Sequence, residues 1–286
     1  MNSIHTLYKE DFPPLLKEIP KPPETLSFRG VLPSYDNVFL TIVGSRRYSA
    51  YGKQVTETLI EGLRGLPVVI VSGLAYGIDA IAHRAALDAD LKTIAIPGSG
   101  LDDSVLYPRE NVRLAEEILR RGGALISPFE DTLPAAQWTF PHRNRIMAGI
   151  SHATLVIEAD IRSGTLITSK FAGDFNRNVL TVPGSIFTSK SAGPHMLLKI
   201  GATPITSVDD LILALGFTPE TKRDAKTTFN LSPDEERILE ALHNPLSRSE
   251  LFETVALDSS AMSVALSLLE LKGLVEETLG NIRKVC

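Results

Sequence analysis

Between residues 37 and 216 the chain alternates short apolar runs with amphipathic stretches. The runs fall at 38–43, 68–72, 93–97, 124–127, 154–158, 178–183 and 203–205. Nearly all lack the every-second-residue alternation of a strand with one wet face. They therefore predict strands covered on both sides. The stretches between them, such as 52–65, 78–89, 111–121 and 164–176, carry apolar residues at helical spacing. Strand and helix in alternation predict βαβ units, a mostly parallel sheet with helices on both faces. The fold class is α/β.

The flanks read differently. Residues 1–36 carry Pro13, Pro14, Pro20, Pro22, Pro23 and Pro33 with a few apolar residues between them. Proline has no backbone donor and disfavours helix before it. The segment is expected as an extended arm laid over an α/β domain at 37–217. A polar, charged stretch at 218–228 reads as a linker. Beyond it, Ser232-Pro233-Asp234-Glu235 is a helix start, with a serine cap, proline next and glutamate three residues after the cap. Ser247-Arg248-Ser249-Glu250 opens a second helix in the same way, and 259–272 fits a third, ended by Gly273. The runs 274–278 and 282–285, parted by Leu279-Gly280-Asn281, predict a hairpin. Three helices and a two-stranded wing make 229–286 a small winged-helix domain.

Composition narrows the class. Hydrophobic residues at 43% and charged residues at 22% are those of an ordinary globular protein, which excludes disorder and collagen-like repeats. The only cysteine, Cys286, is the last residue, so no intramolecular disulfide or cysteine metal cluster is expected. The first residues lack a signal peptide's apolar core, and no stretch approaches the roughly 20 apolar residues that span a bilayer. A cytoplasmic chain with no membrane partner is expected. The net charge of −5 argues against a broadly basic surface. Its distribution changes that inference. Residues 227–286 hold 5 basic and 10 acidic groups, whereas 1–226 hold 24 of each. The α/β domain is neutral, and nucleic acid is not excluded from it.

Candidate chemistry concentrates where the apolar runs end. Val43-Gly44-Ser45-Arg46, Ser72-Gly73-Leu74-Ala75-Tyr76-Gly77, Pro97-Gly98-Ser99-Gly100, 158–164 and Val182-Pro183-Gly184-Ser185 each follow a run. In an open parallel sheet these ends share one edge, where ligands bind at the switch in strand order. Glycine lets backbone N–H groups approach an anion, and the next helix presents unpaired N–H groups. Five such turns predict a crevice for something phosphorylated. Gly98-Ser99-Gly100 lacks the third glycine of a dinucleotide fingerprint, and no P-loop occurs.

Phe140-Pro141-His142-Arg143-Asn144-Arg145 sets two arginines beside an aromatic ring and an amide. Such a group can clamp phosphates while a base stacks on the ring. Alternatively, Phe140 fills the core and the arginines form surface ion pairs. Ser163-Gly164-Thr165 can cap a helix or bind an anion, with Lys170 about two turns in. Asp79 and His83 share one helix face, so the carboxylate can hold the imidazole. Asp102-Asp103 and Glu158-Ala159-Asp160 can bind magnesium with a phosphate, or cap helices. No cofactor and no metal are expected.

Together these motifs resemble the DNA-processing protein A (DprA/Smf) family over close to the whole chain. The signatures are Val43-Gly44-Ser45-Arg46, Ser72-Gly73-Leu74-Ala75-x-Gly77-Ile78-Asp79 with Ala82-His83, and Tyr107-Pro108 with Asn111. Phe140-Pro141-x-Arg143-Asn144-Arg145, Ser163-Gly164-x-Leu166-Ile167-Thr168 and Val182-Pro183-Gly184 continue them. The resemblance implies an extended Rossmann-like domain that binds single-stranded DNA without catalysis. It further implies homodimers that coat the strand and help load the recombinase RecA, chiefly in natural transformation. Arg46 and Lys170 match the family's strand-binding basic positions. Phe140, Arg143, Asn144 and Arg145 match its Phe-Pro-x-Arg-Asn-Arg loop, and Gly44, Ser45, Gly73, Ser163 and Gly164 complete the expected DNA site. Self-association and recombinase contacts are implied within 195–215, at His195, Met196, Leu197, Leu211 and Leu215.

Three departures stand out. The resemblance starts without the N-terminal helical domain that many members carry, so no such domain is expected here. Ser127-Pro128-Phe129-Glu130 replaces a usual Ser-Glu, and His195 stands where the family favours Asn. A second reading keeps the crevice for a small-nucleotide enzyme or sensor, with Asp79, His83 or Asp102 as acid–base groups. In the tail, acidity argues against DNA and for a protein-interaction or regulatory module.

Overall fold

In the strand at 38–43, the middle one of the sheet's seven parallel strands, Leu40 and Ile42 point to one face while Phe39 and Val43 point to the other, all of them buried. Both faces are covered, which is why the run at 38–43 shows no alternation. The computed structural model describes residues 3–218, 232–242, 246–255, 257–272, 274–278 and 281–284. The chain divides into two units, Met1–Ala225 and Lys226–Cys286. Beyond Thr218, the expected linker lies outside the described residues, and so does Cys286.

The strands of the first unit are β1 (His5–Tyr8), β2 (Thr25–Gly30), β3 (Val38–Val43), β4 (Val68–Ser72) and β5 (Lys92–Ala95), followed by β6 (Ala124–Ser127), β7 (Ala153–Val156), β8 (Asn178–Thr181) and β9 (Thr203–Pro204). They form one sheet in the order β1-β2-β6-β5-β4-β3-β7-β8-β9. From β6 to β9 every neighbour is parallel; β1 and β2 join antiparallel at the β6 edge. The helices are α1 (Pro14–Glu18), α2 (Ala50–Glu61), α3 (Ile78–Asp88), α4 (Val112–Arg120), α5 (Thr139–Ile150), α6 (Thr165–Asp174), α7 (Ala192–Lys199) and α8 (Val208–Ala214). Leu59, Ile60 and Leu63 at α2, Ile81 and Ala85 of α3 and Leu211 and Ile212 of α8 bury one face. Leu16 of α1, with Ile146, Met147 and Ile150 of α5, buries the other.

The N-terminal segment departs from the extended arm expected of it. It supplies two strands and a helix, so it belongs to the fold. Pro14 occupies the first position of α1, where a missing N–H costs nothing, so the proline pair starts a helix instead of preventing one. Leu7, Phe12, Leu16, Ile19 and Leu26 are buried. Arg29, also buried, donates to the Leu101 carbonyl (2.8 Å) and to Asp103 (2.6 Å), fastening β2 to the loop beyond β5.

The second unit holds α9 (Pro233–Ala241), β10 (Leu246–Ser247), α10 (Arg248–Thr254), α11 (Ser259–Leu271), β11 (Val275–Thr278) and β12 (Asn281–Lys284). Both expected caps are present as reciprocal capping boxes, Ser232 with Glu235 and Ser247 with Glu250. Ile238, Leu251, Met262, Leu266, Leu269, Val275 and Ile282 form its core. The short β10 pairs with β12, a strand the sequence pattern does not announce. Lys272 meets the buried Glu235 at 2.5 Å, and this hydrogen bond holds that carboxyl below the usual glutamate range.

Candidate nucleic-acid interface

Strand order reverses between β3 and β7, whose C-terminal ends diverge into loops on either side of a crevice. The crevice encloses ≈ 440 Å³ and is lined by Gly44, Ser45, Arg46 and Arg47 after β3, by Arg162, Ser163 and Gly164 before α6, and by Phe140 and Asn144 of α5. Ser49 donates to Glu158 through both its N–H (3.0 Å) and its hydroxyl, tying the two walls together. The Thr165 hydroxyl adds a bond to the Gly44 carbonyl (3.2 Å). Asp160 sits exposed at the rim.

The expected residues come together unevenly. Arg46 is exposed and lies over the Phe140 ring, 5.1 Å from its centroid. Phe140 also packs on Gly98, where any Cβ would sit 2.6 Å from the ring, and Tyr107 abuts it edge-on at 6.2 Å. Phe140 is therefore a platform for the Arg46 guanidinium. Ser163 accepts from the Thr165 N–H (3.2 Å) at the start of α6. Gly164 has open space where a side chain would be, so the start of this helix stays accessible. Asn144 is buried and donates to the Gly164 carbonyl (3.3 Å), holding that turn.

Arg143 and Arg145 do not form the phosphate clamp the sequence suggests. Their motif is the first turns of α5, not a loop, because Pro141 falls in the first turn where proline is tolerated. Arg143 is only 4% exposed and donates to the carbonyls of Ile96 (2.7 Å) and Gly73. It wraps Gly73, whose N–H donates to Asp79 (3.1 Å) on the other side. Glycine is required at position 73 because Arg143 fills the place of a Cβ. Burial lowers the Arg143 pKa to about 10 and raises that of Asp79 against the pull of the arginine. Arg145 turns the other way, to the carbonyls of Pro20 and Lys21 and over the Phe175 ring.

Lys170 is exposed but lines a neighbouring groove of ≈ 1120 Å³ between α6 and α7, contiguous with the crevice through Arg162, Ser163 and Gly164. Arg47 and Arg162 escaped the sequence reading, although Arg162 sits in a strand-end turn that it marked and Arg47 directly follows another. The contacts expected at 195–215 also need correction. Leu197, Leu211 and Leu215 are buried in the unit's own core. Their neighbours Ile200 (74%) and Leu213 (57%) are the exposed ones, while Met196 is half-buried and His195 bonds the Gly184 carbonyl (3.0 Å).

The acid–base candidates are otherwise engaged. The His83 Nδ1 lies 2.7 Å from the Thr93 hydroxyl, which itself donates to Ile70 (2.8 Å), so His83 is the donor. Burial and nearby Arg143 push the His83 pKa down to about 3. An unfolded histidine takes its proton near pH 6.5. Stability conferred by the neutral ring is therefore complete above that pH and is lost as pH falls toward 3. Thermal melts should show a loss of about 1.4 kcal/mol per pH unit from this group, and His83→Gln should remove that component. Asp102 caps Ser104 and Asp103 meets Arg29. Among the described residues no group of three or more His, Cys, Asp or Glu is placed to hold a metal ion, and no helix is long and apolar enough to cross a membrane.

An open, doubly wound sheet with its crevice at the switch in strand order defines the Rossmann-like class of α/β protein. Two family models narrow this: DNA recombination-mediator protein A matches residues 3–216, and the DprA winged helix domain matches 222–281. The chain belongs to the DNA recombination-mediator protein A (DprA/Smf) family. It is 39% identical over 229 residues to Protein Smf of Escherichia coli, covering 80% of this chain and 61% of that one. It is 40% identical over 202 residues to DNA processing protein DprA of Streptococcus pneumoniae, covering 71% and 70%. The X-ray structure of the Streptococcus pneumoniae protein matches with a TM-score of 0.68 and 38% identity over 74% of each chain. DNA processing protein A of Helicobacter pylori, solved for its single-stranded DNA binding mode, matches with a TM-score of 0.66 and 30% identity over 74% of this chain and 95% of that one.

Proposed function

We propose that the chain is a non-catalytic recombination mediator that binds single-stranded DNA along the switch-point crevice and its adjoining groove. The observation that carries this reading is the line of exposed cations, Arg46, Arg47, Arg162 and Lys170, around the open start of α6. Guanidinium and ammonium groups bind phosphate without reading sequence. The Arg46 plane on Phe140 offers a stacking surface to a base. That the Helicobacter pylori relative binds single-stranded DNA supports this reading. Against a nucleotide enzyme stand the burial and prior engagement of Asp79 and His83.

The test is fluorescence anisotropy of the full chain with a thymidine oligomer, a duplex of equal length and a mononucleotide panel, across a salt series. Tight, salt-sensitive binding of the oligomer alone is expected. Selective binding of a mononucleotide would instead favour the enzyme or sensor.

As a mediator the chain would protect incoming strands and help load RecA in the cytoplasm, as in natural transformation. We place self-association and the recombinase contact on the α7–α8 surface, with His195 and Met196 joined by Ile200 and Leu213. For the winged-helix unit we propose a protein-interaction role. Its third helix, α11, carries no basic residue and exposes Val264 and Leu268, and the tail's net charge repels phosphate. Truncation after Phe217 should leave oligomer affinity within about twofold, because removing an acidic module removes no phosphate contact. Loss of nearly all binding on truncation would show the winged helix to be part of the strand site.

A further inference from the structure

Among the described residues, the two most exposed large apolar side chains are neighbours in one loop. Phe187 is 94% exposed and Ile186 79%, at the tip of the turn that follows β8. The turn is braced. The Phe187 N–H donates to the Ser185 hydroxyl (3.2 Å), the Tyr51 hydroxyl donates to the Pro183 carbonyl (2.8 Å) and His195 binds the Gly184 carbonyl. On its other side the Ala159 N–H donates to the Lys190 carbonyl (2.8 Å). These bonds anchor the tip to the start of α2 and to the loop at 158–164. The same two segments carry Arg47 and Arg162 at the rim of the crevice. They also carry Tyr48, Tyr51 and Ile161, all exposed.

Aromatic and apolar surface interleaved with arginines is what a single strand requires, since its bases present apolar faces between charged phosphates. An exposed apolar patch of this kind marks an interaction site, and continuity with the arginine rim selects the occupant. We propose that the Ile186–Phe187 tip is a second base-stacking point. It would carry a bound strand out of the crevice, past Arg47 and Arg162, across the end of β8. This rests on the crevice being the strand site.

The test compares wild type and Phe187→Ala on thymidine oligomers of about 4 and about 15 nucleotides, near the two ends of the usual single-strand site sizes. The Phe187 side chain is too exposed for its loss to disturb folding. The variant should bind the longer oligomer about fivefold or more weakly and the shorter one unchanged, with Phe187→Trp restoring affinity. Unchanged affinity for the longer oligomer, or an equal loss on both lengths, would overturn the proposal. So would a loss accompanied by a lower mass in solution, because the tip would then join copies of the chain. If wild type binds neither length, the crevice reading fails and takes this inference with it. If wild type binds both and the variant matches it, only the second stacking point is lost.

Discussion

Arg143→Ala is expected to cost about 3–5 kcal/mol of stability, lowering the melting temperature by about 6–20 °C for a unit of this size. The guanidinium is buried between the ends of β4 and β5, where it satisfies the carbonyls of Gly73 and Ile96. Its removal leaves those acceptors unpaired and the buried Asp79 carboxylate without the positive charge that offsets its desolvation. Arg143→Lys should restore only part of the loss, since one ammonium cannot reproduce the planar fork. Adding Asp79→Asn to the alanine variant should recover stability by removing the stranded charge. Differential scanning calorimetry of the three variants checks this. An unchanged melting temperature with weakened DNA binding would return Arg143 to the phosphate clamp.

Arg143 marks where sequence reasoning stops. The sheet was legible because doubly covered strands leave wholly apolar runs, and 38–43 or 68–72 admit no other reading. The switch-point loops were legible because glycines and arginines follow those runs. What a side chain does at such a turn depends on packing that spacing does not encode. Gly44 and Gly73 read as anion-cradling glycines, yet Ile78 and Arg143 occupy the space beside them. An arginine is so seldom buried that two in one motif suggest a surface clamp. Leu211 and Leu215 show a signal that was present and unused. Val208, Leu211, Ile212 and Leu215 fall at helical spacing, which assigns them to a covered face and leaves Leu213 outside. The resemblance located the segment, and only the helical period says which side of it is free.

The opposite behaviour is expected from the exposed cations. A chain carrying Arg46→Ala, Arg162→Ala and Lys170→Ala should melt like wild type, because all three side chains are solvent-exposed. Its affinity for a thymidine oligomer should fall roughly 50-fold at 0.15 M salt. The magnitude follows from counterion release, in which each phosphate contact on a single strand contributes about 0.7 to the slope of log affinity against log salt. Three lost contacts reduce that slope by about 2. The wild-type and variant lines should therefore diverge as salt is lowered and converge near 1 M, where the electrostatic contribution vanishes. Binding isotherms at four or five salt concentrations separate this from a non-ionic role. Parallel lines would mean that these residues act through stacking or shape, and coincident lines would remove them from the interface. Arg46 differs from the other two, since its guanidinium also rides on Phe140. Phe140→Leu should then lower affinity while leaving the slope intact, because it frees Arg46 from its platform without deleting its charge.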